Sequence, residues 1–538
     1  MKTRQLLISL TLGLGLTLAL LWLLGGVTLP MAHAAASQCP GQRPLLQAGE
    51  VITVCLSGGC DYTSIQGAVD AAVPGDEILV ATGTYTDVHA RPRNDFTAIG
   101  VVTQVVYVSK TVTIRGGYTT TNWSMPYLIT QPTTLDAQGQ GRVLYITGDI
   151  SPTIEGLRIT GGDADGMGDA GGGVGIISAT ATIRNSQVFS NTAGDGGGLM
   201  LAYSDATLSG NTIASNTAIY GGYGGGLFLY ESAATLSANT VASNTSSHIG
   251  GGLLLYSSDA TLSGNIVISN IASHEGGGLC LYSSAATLSG NMVISNTADG
   301  GGGLWLDSSA ATLSGNTISD NTAVGGGGLF LGSSDATLSG NTVTSNTAHY
   351  GGGLYLYDSD AMLTNNVVAD NWASTAGSGL YIASSSPHLL HTTIARNGST
   401  ELTASSGGSG VHVTSGSTVA LTNTILVSHT VGITVTGGNT VTVNGILWYG
   451  TPVTVSQAVT ATVTVQNQHE GNPAFAPDGY HLTSGSAAID QGVNAGVTTD
   501  IDGDARPDGC FFDIGADEFI TGVACKHIYL PLIMCQYP

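Results

Sequence analysis

Charge is scarce in this chain. Only 9% of its 538 residues are Asp, Glu, Lys or Arg, against roughly a quarter in ordinary soluble domains. Cations are scarcest: 13 Lys and Arg stand against 36 Asp and Glu, for a formal net charge of -23. No Lys or Arg occurs between Arg184 and Arg396. A nucleic-acid partner needs cations to replace the counterions of its phosphates, so this stretch excludes that class of partner. The same field repels acidic polymers unless a cation such as Ca²⁺ intervenes. After the N-terminus, no apolar run is long enough to span a bilayer as a helix, and the apolar tail KHIYLPLIMCQYP over 526–538 is far too short.

What is present is glycine, 79 residues of it, with an ordinary hydrophobic fraction of 42%. Such a chain is not a disordered polar polymer. Its start, MKTR followed by an apolar run and then AHA at 32–34, predicts a signal peptide over 1–34 and an exported, extracellular or cell-surface protein. Export permits disulfides. Seven cysteines are present. Cys55 and Cys60 bracket a short loop suited to one bridge, Cys510 with Cys525 or Cys535 offers another, and Cys280 stands alone.

One sentence is written again and again. Aligning the leucine after each glycine cluster gives Leu199, Leu227, Leu253, Leu279, Leu304, Leu329, Leu354 and Leu380, at spacings of 25 to 28 residues. A fixed period of this length is the mark of a solenoid. Each unit carries LxL, then ATL, then N-x-V/I-x-x-N. These short alternating runs between Gly, Ser and Asn read as three strands per coil. The fold expected is all-β: a single-stranded right-handed parallel β-helix of roughly thirteen coils, each about 4.8 Å from the next. Leu329, Leu331, Leu338 and Val343 should point inward and stack on their equivalents. Two asparagine columns, Asn211 to Asn366 and Asn191 to Asn397, should bond along the axis, because an amide both donates and accepts. The glycine clusters fit turns that need positive φ.

These repeats resemble the pectin lyase-like superfamily of right-handed β-helices, and the GG-L and N-x-V-x-x-N pairs resemble the repeats of polymorphic outer membrane proteins. CDYTSIQGAVDAAVPGDEILVATGTYTD (60–87) resembles the opening of many such helices and implies a capping helix from Ile65 to Ala72. GNPAFAPDGYHLTSGSAAIDQG and DIDGDARPDGCFFDIGADEF resemble a terminal segment called a choice-of-anchor domain. The organisation expected is 1–34 signal peptide, 35–103 cap and first strands, 104–450 β-helix, 451–520 anchor-like segment and 521–538 tail.

The resemblance fixes no activity, because this fold hosts lyases, hydrolases, epimerases, adhesins and inert scaffolds. Lyases of the superfamily join Ca²⁺-binding carboxylates to an arginine. Here the coil arginines are Arg142, Arg158, Arg184 and Arg396, with no R-x-P-x-x-R pattern. Glu155 and Arg184 align on neighbouring coils, as an ion pair would. The aspartate motifs of polygalacturonases and pectin methylesterases are missing, and GTYTD (83–87) reads as a structural turn. No catalytic residue is assigned.

Alternation points a further column outward: Met200, Phe228, Leu254, Cys280, Trp305, Phe330, Tyr355 and Tyr381. Two residues on runs Tyr230, Tyr256, Tyr282, Asp307, Gly332 and Tyr357. An aromatic stripe on an outward face marks a surface that binds or is covered. The binding residues expected are Phe228, Tyr230, Tyr256, Tyr282, Trp305, Phe330, Tyr355, Tyr357 and Tyr381, the ligand a polysaccharide or another cell's surface. Self-association through the same stripe is the competing reading. The metal candidates are Asp500, Asp502, Asp504 and Asp508, spaced like the start of a Ca²⁺ loop, and the column His248, His274 and Asp299 for a transition metal. No cofactor other than Ca²⁺ is expected. The function expected is a non-catalytic, adhesin-like protein; the alternative is a lyase, hydrolase or epimerase acting on an acidic glycan.

Overall fold

The computed structural model describes residues 49–95, 98–164, 170–398, 408–520 and 522. The expected signal peptide, Cys39, Cys525, Cys535 and nearly all of the tail lie outside them. Among the described residues, no helix is long and apolar enough to cross a membrane.

The chain winds into a parallel β-helix. The LxL segments become strands such as Leu304–Asp307, Leu329–Gly332 and Leu354–Tyr357, paired like on like: Leu304 with Leu329 with Leu354. They build a 15-stranded sheet that is parallel except at its first edge, where His89–Asp95 and Ala98–Val108 form a hairpin. The ATL and N-x-V/I segments become the other two strands, as in Thr337–Ser339 and Thr342–Thr344. A fourth, two-residue pairing was not expected. It joins the Thr-Ala step after the second asparagine, from Asp163–Ala164 through Ile271–Ala272, and continues as single bridges to Thr347. Its alanines, such as Ala193 and Ala218, face inward and are fully buried.

Leu329, Leu331, Leu338 and Val343 are at most 1% exposed, and one continuous apolar cluster runs from Ile52 to Trp448. Each buried leucine contributes about 2 kcal/mol of transfer free energy, yet no coil could bury its own without neighbours on both sides.

The asparagine columns are dry and fully bonded. Asn296 Nδ2 donates to Asn321 Oδ1 at 3.0 Å and to Val267 O at 3.0 Å, while Asn270 N donates to Asn296 Oδ1 at 2.9 Å. A serine column escaped the sequence reading. Ser284 N donates to Ser309 Oγ at 3.0 Å, Ser309 N to Ser334 Oγ at 2.9 Å, and Ser334 N to Ser359 Oγ at 2.8 Å. The glycine clusters need one correction. Gly326 does have positive φ, +64°, but Gly327 and Gly328 do not. A Cβ on either would come within 2.5 Å of Gly352 O or 2.7 Å of Gly353 O. They are glycine because the next coil's backbone is too close for a side chain.

The ends are closed differently. At the N-terminal end the helix Ile65–Ala71 is capped by Ser64, whose Oγ accepts from Gly67 N, and it buries Ile65, Ala68 and Val69. Cys55 and Cys60 are bonded as expected, and Cys510 is also disulfide-bonded. At the other end parallel pairing continues through Val453–Gln457 and Thr462–Glu470, so the helix extends past the expected boundary at 450. The segment after it folds back along the outside of the last coils. Leu482, Ala488, Ile514 and Ala516 pack there on Val367, Ala369, Ile425 and Leu447. A buried ion pair, Arg506 to Glu518 at 2.8 Å, holds this segment together, and Arg506 also donates to Gly515 O and Ala516 O.

Candidate functional site

The LxL sheet holds the outward column in register, so each outward side chain sits directly beside its equivalents on neighbouring coils. From Trp305 onward the rings pack on one another. Trp305 and Phe330 lie face to face, 3.9 Å between centroids at 9°. Phe330 meets Tyr355 at 4.7 Å, tilted by 54°, Tyr355 meets Tyr381 edge to face at 4.7 Å, and Tyr381 lies flat on His412 at 5.1 Å. The second column stacks likewise: Tyr230 on Tyr256 at 5.7 Å and Tyr256 on Tyr282 at 5.2 Å, tilted by only 15° and 7°. Tyr357 stands apart, 51% exposed, beyond the break made by Asp307 and Gly332.

Stacking changes what the stripe can offer. Several ring faces are spent on each other: Trp305 on Phe330, Tyr381 on His412, and Tyr256 between Tyr230 and Tyr282. The exception lies between Phe228 and Trp305. There the column drops to Leu254 and Cys280, both 1% exposed, and the stack has a gap. A pocket of about 600 Å³ fills it. Its floor is Phe228, Leu254 and Cys280, and Trp305, backed by Phe330, lines one end. Tyr230, Tyr256 and Tyr282 form one wall; Tyr223, His248 and Ile249 form the other. The Trp305 ring lies against Gly300, where any Cβ would collide with it, so glycine at 300 sets the ring's position.

Polar groups in the pocket are acidic. Asp195, Glu275 and Asp307 line it. Asp195 Oδ1 accepts from Tyr223 N at 2.9 Å and Asp307 Oδ1 from Ser308 Oγ at 3.0 Å. Burial holds the Asp195 carboxyl above its ordinary pKa. Burial, helped by Glu275 and Asp307, pushes the Cys280 thiol far up, so it stays a neutral floor group. Sequence reasoning did not bring Asp195, Tyr223, Ile249 and Glu275 to the stripe because the residue type at their position changes from coil to coil. Their signal was a column of its own: each stands four residues before an aligned leucine, Leu199, Leu227, Leu253 and Leu279.

The metal candidates fall differently. Among the described residues, one group brings three ligand atoms within 4.8 Å of each other: His481, Asp502 and Asp517. The four aspartates expected around Ca²⁺ do not form such a group. Asp500 Oδ1 takes the N–H groups of Asp502 and Asp504, and its Oδ2 takes that of Glu518; it ties a turn. Asp502 turns to His481 Nε2 at 2.5 Å, while Asp478 holds Nδ1 at 2.7 Å. Burial alone would lower the His481 pKa, but these two carboxylates hold it up at about 9. His248, His274 and Asp299 are not such a group either: His248 and His274 meet edge to face at 4.9 Å, and Asp299 is 3.9 Å from His274.

The coil arginines are engaged elsewhere. Arg184 pairs with Glu155 at 2.9 Å, as the alignment predicted, and Arg115 joins the same ladder, bonding Glu155 at 3.0 Å and Glu77 at 2.6 Å. Arg142 is buried with Nε on Ala170 O at 2.8 Å, and Arg158 lies over the Phe189 ring. In GTYTD, Tyr85 is fully buried, with its hydroxyl on Ala81 O at 3.1 Å.

Comparison with known proteins gives a match to the model for a right-handed β-helix region over residues 142–318, 252–399 and 299–447. These overlapping spans cover more than half of the chain. No curated protein matches it. Among solved structures it is similar to a pectate lyase, Pel9A, at 14% identity over 88% of this chain and 97% of that one, with a TM-score of 0.26. The A-module of the Azotobacter vinelandii mannuronan C-5 epimerase AlgE4 is 12% identical over 77% and 93%, with a TM-score of 0.22. The PL6 family alginate lyase AlyGC, in a mutant form, is 10% identical over 75% and 74%, with a TM-score of 0.20.

Proposed function

The chain belongs to the right-handed β-helix family, and we propose that it is an exported, extracellular or cell-surface member that binds a glycan without cleaving it. The observation that carries this reading is the gap in the aromatic column. Trp305, backed by Phe330, lines one end of a pocket whose other walls carry tyrosines and carboxylates. Flat apolar ring faces stack on sugar rings, and hydroxyls and carboxylates orient the sugar's own hydroxyls. The rest of the stripe is scaffold: Phe330, Tyr355 and Tyr381 hold Trp305 rigid from behind. The non-catalytic reading is supported by Arg142 and Arg184, which are held by Ala170 O and Glu155.

The test is retention on immobilised glycans by the full chain and by Trp305→Ala. Loss of retention with an unchanged circular dichroism spectrum supports the reading. Retention equal to that of the unsubstituted chain refutes it. So does release of soluble fragments, which would mark an enzyme.

A further inference from the structure

We infer that the pocket selects a glycan carrying free amino groups, a polymer of partly or fully deacetylated amino sugars, over neutral and acidic ones. This rests on the glycan-binding reading and adds the charge of the ligand.

Three observations lead there. First, the pocket has acceptors in excess of donors. Asp195, Glu275 and Asp307 line it, no Lys or Arg does, and His248 is its one basic side chain. Glu275 is partly buried beside the Cys280 floor. A partly buried carboxylate is bonded most strongly by a cationic donor, because charge-assisted bonds are the stronger kind. Second, the walls are aromatic. Tyr223, Tyr256, Tyr282 and Trp305 bring electron-rich rings around the same volume, which attracts an ammonium group and gives nothing extra to a neutral hydroxyl. Third, the surroundings deepen the bias. The chain carries a net charge of -23 and has no Lys or Arg from 185 to 395, so an anionic glycan approaches against the field and a cationic one with it.

The shape argues for a polymer over an isolated ammonium headgroup. The walls are not a closed cage but two rows, each rising one residue per coil. From the Phe228 coil to the Trp305 coil the run is about 14 Å at the usual strand spacing, longer than one pyranose ring. An amine seated against Glu275 leaves the next sugar in reach of Trp305.

The experiment is calorimetric titration of the full chain at physiological salt. The probes are glucosamine oligomers, their N-acetylated counterparts, neutral glucose oligomers of the same length, oligogalacturonate and choline. The expected result is that the glucosamine oligomer binds about tenfold or more tighter than the acetylated and neutral ones. Glu275→Gln, which keeps the shape, should remove most of that preference, and Asp149→Asn, the same charge change at an exposed site away from the pocket, should leave it intact. Equal binding of charged and neutral oligomers overturns the inference and leaves the glycan-binding reading standing. Absence of binding to every oligomer sinks both. Choline binding as tightly as the oligomer overturns the polymer assignment. An Asp149→Asn effect as large as that of Glu275→Gln means bulk attraction only and refutes the site.

Discussion

Replacing one asparagine in the middle of a ladder, Asn296→Ala, should cost far more than its size suggests. Its Oδ1 takes Asn270 N at 2.9 Å and Asn270 Nδ2 at 3.0 Å; its Nδ2 serves Val267 O and Asn321 Oδ1, both at 3.0 Å. After truncation Asn270 Nδ2 keeps Val241 O and Asn321 Oδ1 keeps Asn296 N. Asn270 N and Val267 O lose these partners inside a fully dry column, where Asn270 and Asn296 are 0% exposed. An orphaned buried group costs about 1–3 kcal/mol, so the loss from these two should fall at about 2–6 kcal/mol. A solenoid unfolds through nearest-neighbour steps, so a single global midpoint does not describe it. The proper assay is amide hydrogen exchange resolved by segment. Protection should fall over 265–325 and persist at 133–160. A change below about 0.5 kcal/mol, the size of an ordinary surface substitution, would refute the view that the ladders bind coil to coil.

Further predictions concern glycine, acid and the returning segment. Gly328→Ala should destabilise by about 3 kcal/mol or prevent folding, since its Cβ meets Gly353 O at 2.7 Å and Val343 Cγ1 at 2.8 Å. Gly264→Ala, at φ +59° with nothing within 4 Å, should cost only the backbone strain, about 1–2 kcal/mol by thermal melting. His429 is buried, accepts from Asn397 Nδ2 at 3.3 Å, and has its pKa lowered by burial and then by Arg396 to about 3. A depressed histidine keeps its stabilising effect above its unfolded pKa and loses it as pH falls from about 6.5 toward 3. Asp513, raised to about 7 by burial, works in the opposite sense, so the readout is the difference in acid unfolding between His429→Asn and the unsubstituted chain, which should narrow below pH 6. Deleting 471–538 should uncover Val367, Ala369, Ile425 and Leu447 and yield a chain that self-associates in analytical ultracentrifugation; a monodisperse monomer would contradict the packing described.

The fold was legible because each coil repeats its neighbour's chemistry. Leu304 and Leu329, or Asn296 and Asn321, are the same residue at the same angle, so alignment alone placed them inside. The serine column Ser284, Ser309 and Ser334 was equally regular but hidden among solvent-like serines, because a hydroxyl that bonds the next coil's N–H looks no different in sequence from one that bonds water. The stripe was half legible. Alternation showed that Trp305 and Tyr256 point outward, but it could not show that their neighbours would cover their faces. The pocket escaped because it is made by small residues, Leu254 and Cys280, where larger ones were the pattern. The acids Asp195 and Glu275 share a periodic position, four residues before Leu199 and Leu279, but the residue type there changes from coil to coil. The aspartates Asp500 and Asp502 tie a turn and pair with His481, contacts that the spacing of a Ca²⁺ loop does not distinguish.

The most direct measurement is a crystal structure of the full chain soaked with the oligosaccharide that binds it best. The account predicts a sugar ring stacked on Trp305, between the Phe228 and Trp305 coils, with an amine at Glu275. Ligand seated elsewhere on the solenoid, or an empty gap at saturating concentration, would contradict it.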